Sequence, residues 1–128
     1  MKPGLLFDTS VWIDFFHGEE NKQVRLLGEY LGNDYPIYTC PVIIQEILQG
    51  VIQDKQFIKI REALLALNIL NDEPVSAAIG AAELYRKLRK KGITIRKSND
   101  CLIAWYAIRY SVDIIHRDRD FDVIMKNL

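Results

Sequence analysis

The 128-residue sequence predicts a single α/β domain, residues 1–128, built as three layers around a central and mainly parallel sheet. Short apolar runs at Leu5–Phe7, Ile37–Cys40 and Asp113–His116 alternate with longer stretches whose apolar residues recur every three or four positions. Strands separated by helices join most simply through parallel crossovers, and those bury the sheet on both faces. Proline and glycine also punctuate the helical stretches in the expected sense, with Pro41 and Pro74 at starts and Gly32, Gly50 and Gly92 at stops. No internal repeat, low-complexity tract or linker divides the chain.

Taken in order, Leu5–Phe7 is a strand that stops on Asp8. Thr9 or Ser10 serves as N-cap of a helix with Trp12, Phe15 and Phe16 at helical spacing. His17 to Asn21 is a break, and Val24, Leu27 and Leu31 carry a second helix to Gly32. A turn at Asn33–Pro36 leads into the strand Ile37–Cys40. Pro41 opens a helix faced by Val42, Ile43, Ile47 and Leu48, and another runs from Asp54 or Lys55 to Leu67 with Phe57, Ile60 and Leu64 on one side. Ile69–Leu70 is a short strand candidate. Pro74 then opens a long helix carrying Val75, Ile79, Ala82, Leu84 and Leu88. Ile93–Ile95 is too short to assign. A helix from Ser98 or Asn99 through Ile108, the strand Asp113–His116 and a short helix from Asp120 to Lys126 complete the chain.

Composition bounds the function. A hydrophobic fraction of 49% with 27% charged residues is that of an ordinary globular domain, not a disordered one. Lys+Arg and Asp+Glu are both 17, so the chain as a whole is no electrostatic magnet for nucleic acid, although an enzyme with a local basic rim remains compatible. Such a rim has a source in the basic run that includes Arg86, Arg89, Lys90, Arg96 and Lys97. The sequence shows no signal peptide and no apolar span of membrane length, and Cys40 and Cys101 lack metal-ligand spacing. The expectation is a cytoplasmic protein with reduced thiols and no membrane association.

At four places in the chain acids stand where a solvated surface acid has no reason to be. Asp8 lies beyond the carboxyl end of the first strand, which is where open parallel sheets bind ligands. Glu46 stands beside the apolar face of its helix, and Asp100 begins the stripe Ile103, Ala104, Ala107 and Ile108. Asp118 and Asp120 follow the last strand on the same sheet edge as Asp8. Each has an ordinary explanation alone, as a helix-flank acid, a first-turn acid or a cap. Together they would repel and raise one another's pKa unless a cation sat among them. Oxygen ligands select Mg²⁺ or Mn²⁺, and the natural chemistry is phosphoryl transfer to a metal-activated water.

The order and separation of these motifs resemble the PIN-domain ribonucleases, most closely the VapC-type toxins of type II toxin–antitoxin modules. The resemblance runs through Asp8–Asp14, through Glu46 in Ile43–Ile47, through Asp100–Ala104 and through His116–Phe121. It covers essentially the whole chain. It implies a Mg²⁺-dependent endoribonuclease (Mn²⁺ being the other candidate ion), held inactive by a cognate VapB-type antitoxin and usually homodimeric. Carried over by position, Asp8, Glu46, Asp100 and Asp118 form the acidic site, with Asp8, Asp100 and Asp118 as metal ligands. Glu46 orients a water or acts as base, Ser10 supports the cluster by hydrogen bonding beside Thr9, and Asp120 competes with Asp118 for the fourth place. The antitoxin would lay a segment over the first helices, where Trp12, Phe15 and Phe16 suit a groove. Arg86, Arg89, Lys90, Arg96, Lys97 and Arg117 are candidates for guiding RNA phosphates. His17 and His116 receive no role.

Competing classes fare worse. A haloacid-dehalogenase-type phosphatase needs a second aspartate where Ser10 stands. A phospho-accepting receiver wants paired acids after the first strand, a middle acceptor aspartate and a late lysine, and His116-Arg117 occupies the last of these places. A PIN-like scaffold without catalysis would have little use for all four acids. Walker-type loops, dinucleotide fingerprints and nucleophile elbows are absent.

Overall fold

The computed structural model describes residues 1–128. The elements are β1 (Leu5–Phe7), α1 (Thr9–Phe16), α2 (Lys22–Gly32), β2 (Ile37–Thr39), α3 (Pro41–Gln49), α4 (Asp54–Leu65), β3 (Asn68–Ile69), α5 (Pro74–Lys90), α6 (Ser98–Tyr110), β4 (Asp113–Ile115) and α7 (Arg119–Lys126). The four strands form one sheet in the order β3-β2-β1-β4, with every pairing parallel. The expected α/β architecture is present. The chain builds outward from β1 to β2 and β3, then returns to place β4 on the other side of β1. That reversal makes the β1/β4 junction the switch point of the sheet, where a crevice opens beyond the strand ends.

The core is laid down by the strands and by one face of each helix. Leu6, Phe7, Leu27, Ile43, Ile103 and Phe121 are all essentially inaccessible to solvent. Phe7 meets Tyr30 edge-on at 5.8 Å, and the Tyr30 hydroxyl donates to the Pro3 carbonyl at 2.8 Å, pinning the chain start to α2. At the far end Arg109 pairs with Asp72 at 2.9 Å, tying the end of α6 to the start of α5. Cys40 and Cys101 are buried free thiols, and burial pushes them up to about 12 and about 11. No helix is long and apolar enough to cross a membrane.

The structure corrects several local expectations. Asp8, rather than Thr9 or Ser10, is the N-cap of α1. Helix α4 stops at Leu65, so β3 begins at Asn68, and Ile93–Ile95 forms no strand. The apolar residues assigned to α5 belong to two opposite faces. Leu84 and Leu88 turn inward together with Ala77, which is not among them, whereas Val75 and Ile79, about half a turn away, are 63% and 54% exposed, and Ala82 is exposed too. Phe16, Leu31 and Ile108 are also exposed, each one position beyond the buried arc of its helix.

Gly80 explains how α5 and α6 approach. A Cβ at that position would overlap the Trp105 indole of α6. Helix propensity alone favours Gly→Ala by about 1 kcal/mol, and at Gly28 in α2, where nothing lies within 4 Å of the added methyl, that gain is unopposed. Gly28→Ala is therefore expected to raise the melting temperature and Gly80→Ala to lower it, overpacking costing about 1–3 kcal/mol. Thermal melts of the two variants beside the parent check the opposite signs.

Candidate active site

Three of the acids are delivered by element ends, and Glu46 by the body of α3. Asp8 follows β1, its backbone N–H donating to the Ile115 carbonyl at 2.9 Å, which locks it to the end of β4. Its carboxylate accepts from the Ser10 N–H at 3.2 Å and the Ser10 hydroxyl at 2.6 Å. Glu46 extends from α3 and is held at both oxygens, by the Thr9 hydroxyl at 2.7 Å and the Asn99 amide at 3.3 Å. Asp100 sits in the first turn of α6, and Asp118 caps α7 by accepting from the Asp120 N–H at 3.0 Å. All four line one cavity of about 370 Å³. Thr9 and Ser10 line it as well, so the supporting pair also comes together.

The electrostatics are those of a site short of positive charge. Asp8 and Asp100 are each only 6% exposed. Burial pushes the Asp100 carboxyl up to about 7, with the Asp8, Asp118 and Glu46 charges adding to the rise and Lys97 opposing it. Burial also raises Asp8, and the Ser10 hydrogen bonds hold part of that rise back. One Asp100 oxygen is buried without a hydrogen-bond partner. An orphaned carboxylate oxygen is costly unless something positive meets it. Ligand oxygens of Asp100, Asp118 and Asp120 lie within 4.8 Å of one another, a donor set that fits a hard divalent cation. Asp120 joins this trio but does not line the cavity.

Sequence reasoning passed over Asp14 as a site residue. It is 7% exposed, lines the same cavity, accepts from the Asn21 amide at 3.3 Å and pairs with the Arg117 guanidinium. Its signal was available: Asp14 lies four residues after Ser10 and three after Val11, hence on the inward side of α1. Asn99, which steadies Glu46, was hidden by its ordinary place beside a helix start.

The basic run does not form one patch. Arg96 reaches both Asp118 and Asp120 at 3.4 Å, and Lys97 and Arg117 line the acidic cavity. Arg86 and Arg89 border a separate cavity between α5 and α6 that Asn99 also touches, and the Arg89 guanidinium lies 5.8 Å from the Tyr85 ring centre. Lys90 is exposed and lines neither.

The raised Asp100 pKa fixes a pH dependence. Between its ordinary value of 3.8 and about 7, the folded protein holds a proton that the unfolded chain has released. Stability from this group is thus full near pH 4 and is lost as pH rises to about 7. In chelator, the parent should lose several degrees of melting temperature over that interval relative to Asp100→Asn, which lacks the titrating group. Millimolar Mg²⁺ or Mn²⁺ at pH 7 to 8 should return the lost degrees to the parent and not to Asp100→Asn. Melting curves over the pH series, with and without metal, decide both points.

A model of the PIN domain matches residues 5–127. The VapC ribonuclease Mb1587 of Mycobacterium bovis is 37% identical over 126 residues, 95% of this chain and 92% of that protein. Ribonuclease VapC11 of Mycobacterium tuberculosis shows the same identity and coverage. The DNA-bound VapBC complex from Salmonella typhimurium contains a chain with a TM-score of 0.73 at 15% identity, covering 99% of this chain and 96% of that one, a likeness of fold. The receiver-like and dehalogenase-like readings have no such support. With the four acids gathered at one edge of the sheet, and the match running nearly end to end, the chain belongs to the PIN-domain family, in its VapC branch.

Proposed function

We propose that this protein is a divalent-metal-dependent endoribonuclease, the toxin of a type II toxin–antitoxin module, cutting RNA phosphodiesters in the cytoplasm. The observation that carries the reading is the cavity that gathers Asp8, Glu46, Asp100 and Asp118 around a buried, unpartnered carboxylate oxygen. The ribonuclease names of the relatives at 37% identity support the same chemistry.

Asp8, Asp100 and Asp118 would hold the cation, with Asp120 adding an oxygen from the rim. When bound, the ion polarises the phosphodiester and lowers the pKa of water. The chain's own residues do the rest. Ser10 fixes the Asp8 carboxylate, so its free oxygen keeps one direction. Glu46, gripped by Thr9 and Asn99, accepts the proton from the water that attacks phosphorus as the P–O bond to the leaving ribose oxygen breaks. Lys97 and Arg117 face the cavity and carry the charge of the phosphate being cut; Asp14 keeps Arg117 at that mouth. Arg96 neutralises part of the Asp118 and Asp120 charge.

Two macromolecular partners follow. Ile13, Phe16, Ile47, Val51 and Ile60 line a groove of about 430 Å³, and Ile13 also borders the acidic cavity. An apolar segment of a VapB-type antitoxin would lie in this groove with its end over the acids. The structural neighbours come from toxin–antitoxin complexes, including one from Klebsiella pneumoniae and the VapBC complex from Salmonella typhimurium, which supports such a partner. A second copy of the chain is the other partner, with exposed Val75, Ile79 and Ile108 on the α5–α6 pair as its contact.

Antitoxin-free protein incubated with total cellular RNA tests the reading. Discrete cuts are expected with Mg²⁺ or Mn²⁺, none with chelator, and a loss on the order of 10²-fold or more for Asp8→Asn, matching several kcal/mol of lost charge stabilisation. Circular dichroism should show the variant folded. Intact RNA in every metal-containing lane, or equal cutting by Asp8→Asn, would overturn the assignment.

A further inference from the structure

The sheet ends on β4, and its outer edge carries no strand. The Ile115 carbonyl accepts from Asp8, so Ile115 faces β1. Backbone groups alternate sides in a parallel pair, which turns the N–H and C=O of Ile114 and His116 toward the open edge. Beyond that edge lies a cavity of about 570 Å³, bounded by α2, β4 and the start of α7, within the ~300–1,000 Å³ typical of small-ligand clefts.

Its lining has three chemistries. Leu26, Ile114 and Ile115 supply apolar surface. The Gln23 amide reaches the strand edge, donating to the His116 carbonyl at 3.2 Å, and adds a hydrogen-bonding group beside the open backbone. Lys22, Arg117 and Arg119 supply charge. Asp118 is engaged by Arg96 and the α7 N-terminus, Arg117 is paired with Asp14, and Asp122 lies 3.2 Å from the His116 imidazole. Lys22 and Arg119 have no acidic partner within 4.0 Å and together outweigh the Asp122 carboxylate, so the cavity keeps a net positive charge. It adjoins the acidic cavity, with Arg117 and Asp118 lining both.

We propose that this cavity binds one nucleotide of the RNA strand, immediately beside the phosphate that is cut. The base and ribose lie against Leu26 and Ile114, the edge of the base pairs with the Ile114 backbone and the Gln23 amide, and the flanking phosphate is held by Lys22 and Arg119. Arg117 stands between the two cavities and joins the flanking phosphate to the reacting one. Positive charge at this position draws the backbone across the β4 side of the acids, and the hydrogen-bonding groups give the site a means of preferring one base. That the neighbouring phosphate is the one cut rests on the nuclease reading; that a nucleotide binds here does not.

The test uses the full chain carrying Asp8→Asn with labelled isoleucine δ1 methyls, titrated separately with the four nucleoside 5′-monophosphates in Mg²⁺. Saturable shifts are expected at Ile114 and Ile115 and not at Ile13 or Ile47, which border the other mouth. Lys22→Ala combined with Arg119→Ala should weaken this binding roughly tenfold or more. In cleavage assays of the parent, the same pair should raise KM for RNA more than it lowers kcat, and Gln23→Ala should change which sites are cut. Methyl shifts at Ile114 and Ile115 without RNA cleavage under any metal would leave the nucleotide site standing and sink the nuclease reading. RNA cleavage with no shift from any monophosphate and an unmoved KM would do the reverse, and shifts confined to Ile13 and Ile47 would also overturn the proposal.

Discussion

Five carboxylates, Asp14 among them, around one small cavity repel one another unless something positive meets them, and much of the local structure answers that constraint. Ser10 donates twice to Asp8, Thr9 and Asn99 each take one oxygen of Glu46, and Arg96 bridges Asp118 and Asp120. Asp100 alone is left with a buried oxygen unmatched, and its proton affinity rises accordingly. Hydrogen bonds and cations that favour the ionised form have thus been spread unequally over the cluster. The acid they leave out is the one at which a metal ion gains most, because binding there removes a penalty as well as adding an attraction.

Such a cluster can form only because the topology supplies several chain ends at one place. Asp8 and Asp118 come from adjacent parallel strands whose ends are tied by the Asp8–Ile115 hydrogen bond, while Glu46 and Asp100 come from helices that start on the same edge. The core beneath is apolar and rigid, with Phe7, Ile43 and Ile103 fully enclosed. Repulsion at the edge therefore cannot relax by moving the elements apart without opening that core. The carboxylates are preorganised at the expense of the metal-free protein's stability, which is the usual position of a functional site.

The legible part of this arrangement was the part governed by short-range rules. Strand β1 ending on an acid, proline at two helix starts and glycine at helix stops set the architecture; Glu46 and Asp100 stood out as charge beside apolar periodicity, and Asp8 and Asp118 as acids beyond strand ends. Capping was misread because Asp8 does double service: the same carboxylate that faces the cavity also receives the Ser10 N–H, so the cap lies one residue earlier than hydroxyl preference suggests. In α5 a continuous apolar count concealed two opposite faces, and only the approach of Gly80 to Trp105 shows which one packs. Asp14 and Asn99 were silent because their importance lies in partners distant in sequence, Arg117 and Glu46. The split of the basic run had the same cause. Helix α5 ends at Lys90, and the turn beyond it sends Arg96 and Lys97 to the acids while Arg86 and Arg89 stay with α6.

The surroundings of the acidic cavity are asymmetric, and this separates the two ligands assigned to the protein. On the side of α1, α3 and α4 the wall is apolar and reaches the acids through Ile13; on the side of β4 and α7 it is basic and reaches them through Arg117. A protein segment that hides leucine-like side chains has reason to take the first side, and a polyanion the second. The two approaches then meet only over the carboxylates themselves. An inhibitor of this geometry needs to deny just the reacting position to the RNA, and the long apolar groove supplies its affinity without having to imitate nucleic acid. On the proposed reading the basic side, with Gln23 and Arg119, is left to the substrate.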